Sequence, residues 1–238
     1  MSIVEHVHQI DVLPWLGCRE PFSSFSHLTG AGVFAGLGLY LIRRGRGDWI
    51  RVASLCVMVT SSVLLLCVSG IYHIFWPGPI REILLRGDVA SVFVLIAASM
   101  TPVHAILFRG LPRWGALLLI WTVAISGIIW RLLYCENTPG PTGIAFFLLF
   151  GWGSLITSLF LWRRFGWAFI QPAVLSGLSY TFGAIGLVLH HPVLVPGVIG
   201  PHEIWHCAVL AGLGFHWCFV KEFANGVVSP NPNLLAQS

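Results

Sequence analysis

The chain has 238 residues, of which 56% are hydrophobic and only 9% are charged. A soluble domain carries roughly 25% charged residues, so this chain cannot cover a water-facing surface of its size, and its main solvent must be lipid. The 13 Lys and Arg residues lie in short gaps between apolar runs or near the ends of those runs, without a basic patch interleaved with aromatic residues. This composition argues against a soluble enzyme and against nucleic-acid binding.

Seven apolar runs are long enough to cross a membrane, since a helix needs about 20 residues to span the hydrocarbon core. We predict spans over roughly residues 25–42, 51–76, 88–108, 112–133, 143–162, 170–190 and 202–221. Gly and Pro cluster in the gaps, as in Pro77-Gly78-Pro79, and both residue types favour turns. The runs are apolar throughout, whereas barrel strands alternate apolar and polar residues. The sequence therefore predicts an all-α, polytopic membrane protein with seven transmembrane helices.

These spans also predict the domain organisation and the orientation of the chain. One membrane domain, residues 25–224, lies between a polar amino-terminal segment, 1–24, and a flexible tail, 225–238. Four basic residues fall on the amino-terminal side of the membrane and nine on the other side. Because basic residues favour the cytoplasm, we predict a cell-membrane or inner-membrane protein with its amino terminus outside and its carboxyl terminus in the cytoplasm.

The seventh predicted span begins with the motif His202-Glu203-Ile204-Trp205-His206. Residues four apart share a helix face, so both imidazoles can bind one ion. HExxH is also the spacing of zinc hydrolases, in which the Glu is the general base. However, Glu203 points about 100° away from His202 on a helix. The alternative interpretation is a pair of interfacial histidines at a helix start.

Two further motifs place polar residues at the edge of an apolar run. Ser69 and His73, at the end of the second span, share a helix face. Their alternative roles are an interfacial histidine and a serine bonded to its own helix backbone. Asp88 begins the third predicted span, where a helix cap is the better explanation of an aspartate taken alone.

The entry to the first span is polar as well. It contains Glu20, Ser23, Ser26 and His27. For this group we predict a capping arrangement at the start of the helix.

The order of the spans brings several of these residues to one depth. Odd spans start on the amino-terminal side of the membrane, and even spans end there. The residues that share this side are His27, His73, Asp88, His190, His202 and His206, whereas His104 and His216 fall nearer the opposite face. Ionisable groups inside a membrane are costly and usually functional, so their common depth favours a shared site.

We predict that His73, His202 and His206 bind one metal ion. Three histidine ligands and an open fourth position are the pattern of a catalytic zinc site. Imidazole suits zinc best, although iron, copper or nickel also bind it. Asp88 would lie beside water in the fourth position, and Ser69 would be a nearby hydrogen-bonding group.

The same motifs resemble those of the hemolysin III branch of the progestin/adiponectin-receptor family, over nearly the whole chain. Ser69 to His73 is similar to the family's SxxxH motif, and Asp88 with Thr101-Pro102 is similar to its third-helix pattern. The segments 180–184 and 201–206 resemble the hemolysin III ending closely. Ser23 stands where the first motif of the family usually has Asn.

The resemblance implies a seven-helix fold with one zinc ion held by His73, His202 and His206, with Asp88 nearby. Relatives include alkaline ceramidases and other lipid-amide hydrolases, and animal adiponectin receptors also hydrolyse ceramide. Those receptors have a cytoplasmic amino terminus, which is the opposite of the orientation predicted here from charge.

The leading hypothesis is a zinc-dependent hydrolase of a lipid amide or ester, with membrane lipids as its partners. Asp88 is the first candidate for proton transfer, and Glu203 is the second. The main alternative is a non-enzymatic sensor of membrane lipid state with a structural zinc ion. A cytolysin is implied by the family name, but the spans lack the polar stripe of a pore. A soluble-type metalloprotease is disfavoured because no peptide-binding domain is apparent outside the membrane.

Overall fold

The computed structural model describes residues 13–134 and 140–228. These residues form eight helices, which we number α1 (Pro21–Arg44), α2 (Trp49–Tyr72), α3 (Pro79–Leu107), α4 (Leu111–Tyr134), α5 (Gly140–Trp152), α6 (Ser154–Phe165), α7 (Trp167–Leu189) and α8 (Pro201–Phe223). Helices α5 and α6 meet at Gly153 and together make the fifth of seven segments that are long and apolar enough to cross a membrane. The described ranges contain no regular β-strand. The predicted all-α membrane fold with seven spans is therefore confirmed.

Local sequence explains where several helices begin. Pro21, Pro79 and Pro201 each occupy the first turn of a helix, where the missing N–H of proline is not needed. Helix α2 is capped by Asp48, whose side chain accepts hydrogen bonds from the backbone N–H groups of Ile50 (2.8 Å) and Arg51 (3.1 Å).

The third helix begins nine residues earlier than its predicted span, at Pro79 instead of residue 88. Asp88 therefore lies well inside α3, and its interpretation as a helix cap is wrong. The sequence prediction missed the first nine residues of this helix because they include charged residues, from Arg81 to Arg86, and the spans were assigned from runs of apolar residues. The helix accommodates Arg81 because its guanidinium is buried in hydrogen bonds with other groups of the protein.

Helix α8 lies at the centre of the packing, against α7, α1 and α3. His216 of α8 lies 3.0 Å from the carbonyl oxygen of Ser99 on α3, and Trp217 donates to the hydroxyl of Ser62 on α2 (3.4 Å). In the most apolar stretch of α8, 50% of the residues are buried, whereas in the fifth span only 6% are buried. The helices that carry the predicted site are thus the well-packed part of the molecule.

Two glycines allow close approaches of helices near the predicted site. A Cβ atom on Gly183 of α7 would lie 2.4 Å from the Cβ of Ala208 on α8. A Cβ atom on Gly70 of α2 would lie 2.7 Å from Cγ of Leu28 on α1. Larger residues would therefore push α7 away from α8 and α1 away from α2, which would displace the residues beside them.

Candidate metal centre

Three histidine side chains converge at one end of the bundle. The Nε2 atoms of His73 and His202 are 3.5 Å apart, and those of His202 and His206 are 3.0 Å apart. One ligand atom from each of the three residues lies within 4.8 Å of the others. A tetrahedral zinc ion with bonds of about 2.0–2.1 Å separates its nitrogen ligands by roughly 3.4 Å. The three side chains could therefore hold a single metal ion, and they are the three residues predicted from the sequence.

Each histidine is positioned by the helix that carries it. His73 directly follows the last residue of α2, and its backbone N–H bonds to the carbonyl of Ser69 (3.2 Å). His202 and His206 lie four residues apart in the first turns of α8, so their rings project from the same face. His73 and His206 are almost fully buried, and His202 is half-buried.

Glu20 is the partner of His73. Its carboxylate hydrogen-bonds the Nδ1 atom of His73 and accepts from Nη2 of Arg81 (2.9 Å). Arg81 also donates to the carbonyl of Phe75 (2.6 Å) and to the hydroxyl of Tyr72 (3.1 Å). A carboxylate on the second nitrogen of a histidine ligand fixes the orientation of the ring and raises its basicity.

The contacts of Glu20 also decide its charge. Burial acts to raise the pKa of Glu20, but the hydrogen bond with His73 and the charges of His73 and Arg81 together bring it well below the ordinary value. The carboxylate is therefore ionised at neutral pH. The predicted capping role of Glu20 is wrong, since its side chain caps no helix and contacts His73 and Arg81 instead.

His27 is the partner of His206. Its Nε2 atom lies 2.8 Å from Nδ1 of His206, on the side of that ring opposite to the candidate metal position. Nδ1 of His27 is itself buried and has no hydrogen-bond partner among the described residues. Two of the three candidate ligands thus have an identified second partner, Glu20 for His73 and His27 for His206.

Glu203 faces α1. One oxygen of its carboxylate accepts from the hydroxyl of Ser23 (3.1 Å) and the other accepts from the backbone N–H of Gly200 (3.0 Å). This arrangement caps α8 and ties its first turn to α1. The catalytic role predicted for Glu203 stays a prediction, but both carboxylate oxygens are already used in these structural contacts.

Asp88 and Ser69 lie on neighbouring helices, and Ser69 is one turn before His73. Ser69 is buried and Asp88 is half-buried, and their side chains are neighbours between α2 and α3. Asp88 therefore lies near the end of α2 that carries His73. The proton-transfer role of Asp88 and the supporting role of Ser69 stay predictions.

The remaining histidines lie elsewhere. His104 lies 3.1 Å from the carbonyl of Pro112 at the start of α4, and His216 contacts Ser99. His190 is exposed at the end of α7.

Sequence reasoning missed the importance of Arg81, although a basic residue beside an apolar run is a signal that an acidic partner is nearby.

Comparison with known proteins agrees with this architecture. The family model for haemolysin-III related proteins matches residues 17–217, which include every residue of the candidate centre. The chain belongs to the haemolysin-III related family. Its membership confirms the resemblance noted from the motifs, and it accounts for a multi-pass integral membrane protein.

Individual relatives are distant in sequence. Hemolysin-3 of Bacillus cereus is 26% identical over 166 residues, which cover 70% of this chain and 73% of that protein. The Hemolysin-3 homolog of Bacillus subtilis is 24% identical over 174 residues, covering 73% of this chain and 78% of the homolog. An uncharacterized protein of Schizosaccharomyces pombe is 26% identical over 234 residues, but this chain matches only 52% of its length.

Proposed function

We propose that this haemolysin-III related protein is a zinc-dependent membrane hydrolase that cleaves a lipid amide or ester. The observation that carries the proposal is the convergence of His73, His202 and His206, whose ligand atoms lie within 4.8 Å of one another. The candidate centre lies in a bundle of membrane-spanning helices, so its substrate would reach it from the lipid phase. Glu20 and His27 support the proposal because they orient two of the three rings.

A zinc ion in this centre would supply Lewis acidity, which polarises a carbonyl and activates water for attack. In the hydrolysis, the oxygen of water adds to the carbonyl carbon, the bond from that carbon to nitrogen or oxygen breaks, and a proton passes to the leaving group. Asp88 is the candidate that accepts and returns this proton. Ser69 is a neighbour of Asp88 and the candidate residue that would hold its carboxylate by a hydrogen bond.

The proposal is tested by metal analysis and by hydrolysis of a short-chain ceramide, using the purified protein in lipid nanodiscs. We expect the wild type to bind about one zinc ion per chain and to cleave the ceramide. The variants His73→Ala and His206→Ala should lose both the bound zinc and the cleavage. His104→Ala is the matched control, because His104 is also buried but contacts Pro112, away from the candidate centre. Full cleavage by His73→Ala would contradict the proposal.

A second candidate function is a sensor of membrane lipid state in which the metal is only structural. The burial of His73 (1% exposed) and His206 (2% exposed) favours this alternative, because structural sites are closed to solvent. X-ray absorption spectroscopy of the zinc-loaded protein distinguishes the two functions. A fourth ligand from water supports the hydrolase, and a fourth ligand from the protein supports the sensor.

We also propose that the amino terminus lies outside the cytoplasm. The proposal rests on the excess of basic residues in the gaps on the other side of the membrane.

A further inference from the structure

Two polar atoms on α1 are buried and have no hydrogen-bond partner among the described residues: Oγ of Ser24 and Nδ1 of His27. Ser24 is fully buried, and only 3% of His27 is exposed. Buried polar groups in proteins are almost always hydrogen-bonded, because an unpaired group has lost its bonds with water and gained none in return. Two such atoms on one helix, beside the candidate metal centre, therefore point to a group that binds between them.

The two side chains project from the same face of α1. Ser24, His27, Ala31 and Phe34 are all buried, and their spacing of three or four residues is that of one helix face. Residues three apart on a helix have Cβ atoms about 5–6 Å apart. Two hydrogen bonds of about 2.8 Å each, through one shared oxygen atom, span a gap of this size. The spacing of Ser24 and His27 therefore suits one bridging water molecule.

The hydroxyl of Ser24 is not used by its own helix. A serine inside a helix often donates to a backbone carbonyl of the preceding turn. Ser26 does this on the same helix, since its hydroxyl donates to the carbonyl of Ser23 (3.1 Å). Oγ of Ser24 makes no such bond with any described residue. It is therefore available as an acceptor and as a donor for a group next to His27.

The contact between His27 and His206 determines which atom of His27 carries its proton. If a metal ion binds Nε2 of His206, Nδ1 of His206 donates to Nε2 of His27, which lies 2.8 Å away. His27 is buried and has no carboxylate partner among the described residues, so we expect its ring to be neutral. A neutral histidine has one donor and one acceptor nitrogen, so the proton of His27 then lies on Nδ1. The unpartnered atom is thus a donor that needs an acceptor.

We propose that Ser24 and Nδ1 of His27 bind one buried water molecule, which makes Ser24 a positioning residue of the metal centre. Buried waters typically bind polar groups of this kind that lack another partner. The water oxygen accepts from Nδ1–H of His27, and the water donates one hydrogen to Oγ of Ser24. Through His27, this chain of hydrogen bonds keeps the proton of His206 on Nδ1 and leaves Nε2 free for the metal ion. The inference goes beyond the proposed function, because it applies whether the metal is catalytic or structural.

The first test is the zinc affinity of the purified full chain in nanodiscs, measured by competition with a chelator. Ser24→Ala should weaken zinc binding several-fold, and by less than His27→Ala, because Ser24 acts on the ligand only through the water and His27. In the His27→Ala background, Ser24→Ala should have no further effect, since the chain is already broken. Ser54→Ala is the matched control, because Ser54 is also buried but its hydroxyl donates to the carbonyl of Arg51 (2.9 Å) in its own helix.

Two results of this experiment would overturn the inference. One is an unchanged zinc affinity in Ser24→Ala. The other is an equal loss from Ser24→Ala with and without His27, which is the result expected if Ser24 only stabilises the packing of α1. Thermal unfolding of the metal-free variants checks that each of them is folded.

The second test detects the water itself and does not depend on bound metal. Solid-state NMR of the chain with ¹⁵N-labelled histidine measures the transfer of magnetisation from water protons to Nδ1 of His27, whose signal is identified by its loss in His27→Ala. We expect this transfer in the wild type and in Ser54→Ala, and a strong decrease in Ser24→Ala. The absence of transfer to Nδ1 of His27 in the wild type would show that no water binds there and would contradict the inference.

Discussion

Both ring nitrogens of His206 contact another histidine: Nδ1 lies 2.8 Å from Nε2 of His27, and Nε2 lies 3.0 Å from Nε2 of His202. If Nε2 of His206 binds a metal ion, its proton must lie on Nδ1, which then donates to His27. His27 thereby fixes both the tautomer and the direction of the ring. A histidine would then fill the role that a carboxylate or a backbone carbonyl usually has beside a metal ligand.

His27→Ala should therefore weaken metal binding without removing a ligand. Loss of an orienting partner typically lowers metal affinity by about 10–100-fold. Competition with a chelator of known zinc affinity measures the change, and the thermal stability of the metal-free protein serves as the control for misfolding. Unchanged affinity in a folded variant would show that His27 does not orient His206.

Glu20 and Arg81 form a buried pair, with 7% of each side chain exposed. Removing one partner of such a pair typically destabilises a protein by about 3–5 kcal/mol, because the other charge is left buried. We expect Glu20→Gln to destabilise the protein strongly, and the double variant Glu20→Gln/Arg81→Met to recover part of this loss. Denaturant or thermal unfolding of the four proteins of this double-mutant cycle measures the coupling. Additive effects would mean that the two charges do not interact.

Acid should weaken the same interaction. The folded state lowers the pKa of Glu20, so the stability from its ionised form is fully present above the ordinary pKa of a glutamate, about 4.3. This stability is lost as the pH falls further, through the pKa that Glu20 has in the folded protein. The difference in stability between wild type and Glu20→Gln should therefore shrink below about pH 5. Unfolding of both proteins between neutral and acidic pH measures this difference; a difference that is constant over the range would contradict the assignment.

Asp88 and Glu203 should respond differently to removal of their charge. Under the proposed hydrolase function, Asp88→Asn should lower kcat by about 10²–10⁴-fold while zinc stays bound, as for loss of a general base. Glu203→Gln should retain most of the activity, because the carboxylate of Glu203 is bound to Ser23 and Gly200. Steady-state cleavage of a short-chain ceramide measures both effects. A larger loss in Glu203→Gln than in Asp88→Asn would reverse the two assignments.

Reporter fusions test the orientation of the chain. A reporter that is active only in the cytoplasm, fused after Phe223 at the end of α8, should be active there, and one fused in the gap before Pro79 should not. The expectation follows from the excess of basic residues on the side of the membrane where α8 ends. Activity only at the fusion before Pro79 would place the amino terminus in the cytoplasm.

Sequence alone predicted the seven spans and the three converging histidines. Apolar length identifies a span, four-residue spacing places His202 and His206 on one face, and the order of the spans brings His73 to the same side of the membrane. The start of α3 was missed because Arg81 counts as a charge in the sequence, whereas in the fold it is paired with Glu20. The contact between His27 and His206 joins residues 179 positions apart, so only the packing of α1 against α8 reveals it.

The position of α8 along the chain has a consequence for the order of assembly. His202 and His206 belong to the helix that follows all the other described helices, whereas His73 and Glu20 lie more than a hundred residues earlier. During translation, α2 enters the membrane long before α8 exists. The candidate centre therefore stays incomplete, with only His73 and Glu20 in place, until the last described helix is inserted. Metal binding by all three histidines would therefore require the insertion of α8, and a copy truncated before α8 would lack two of the three candidate ligands.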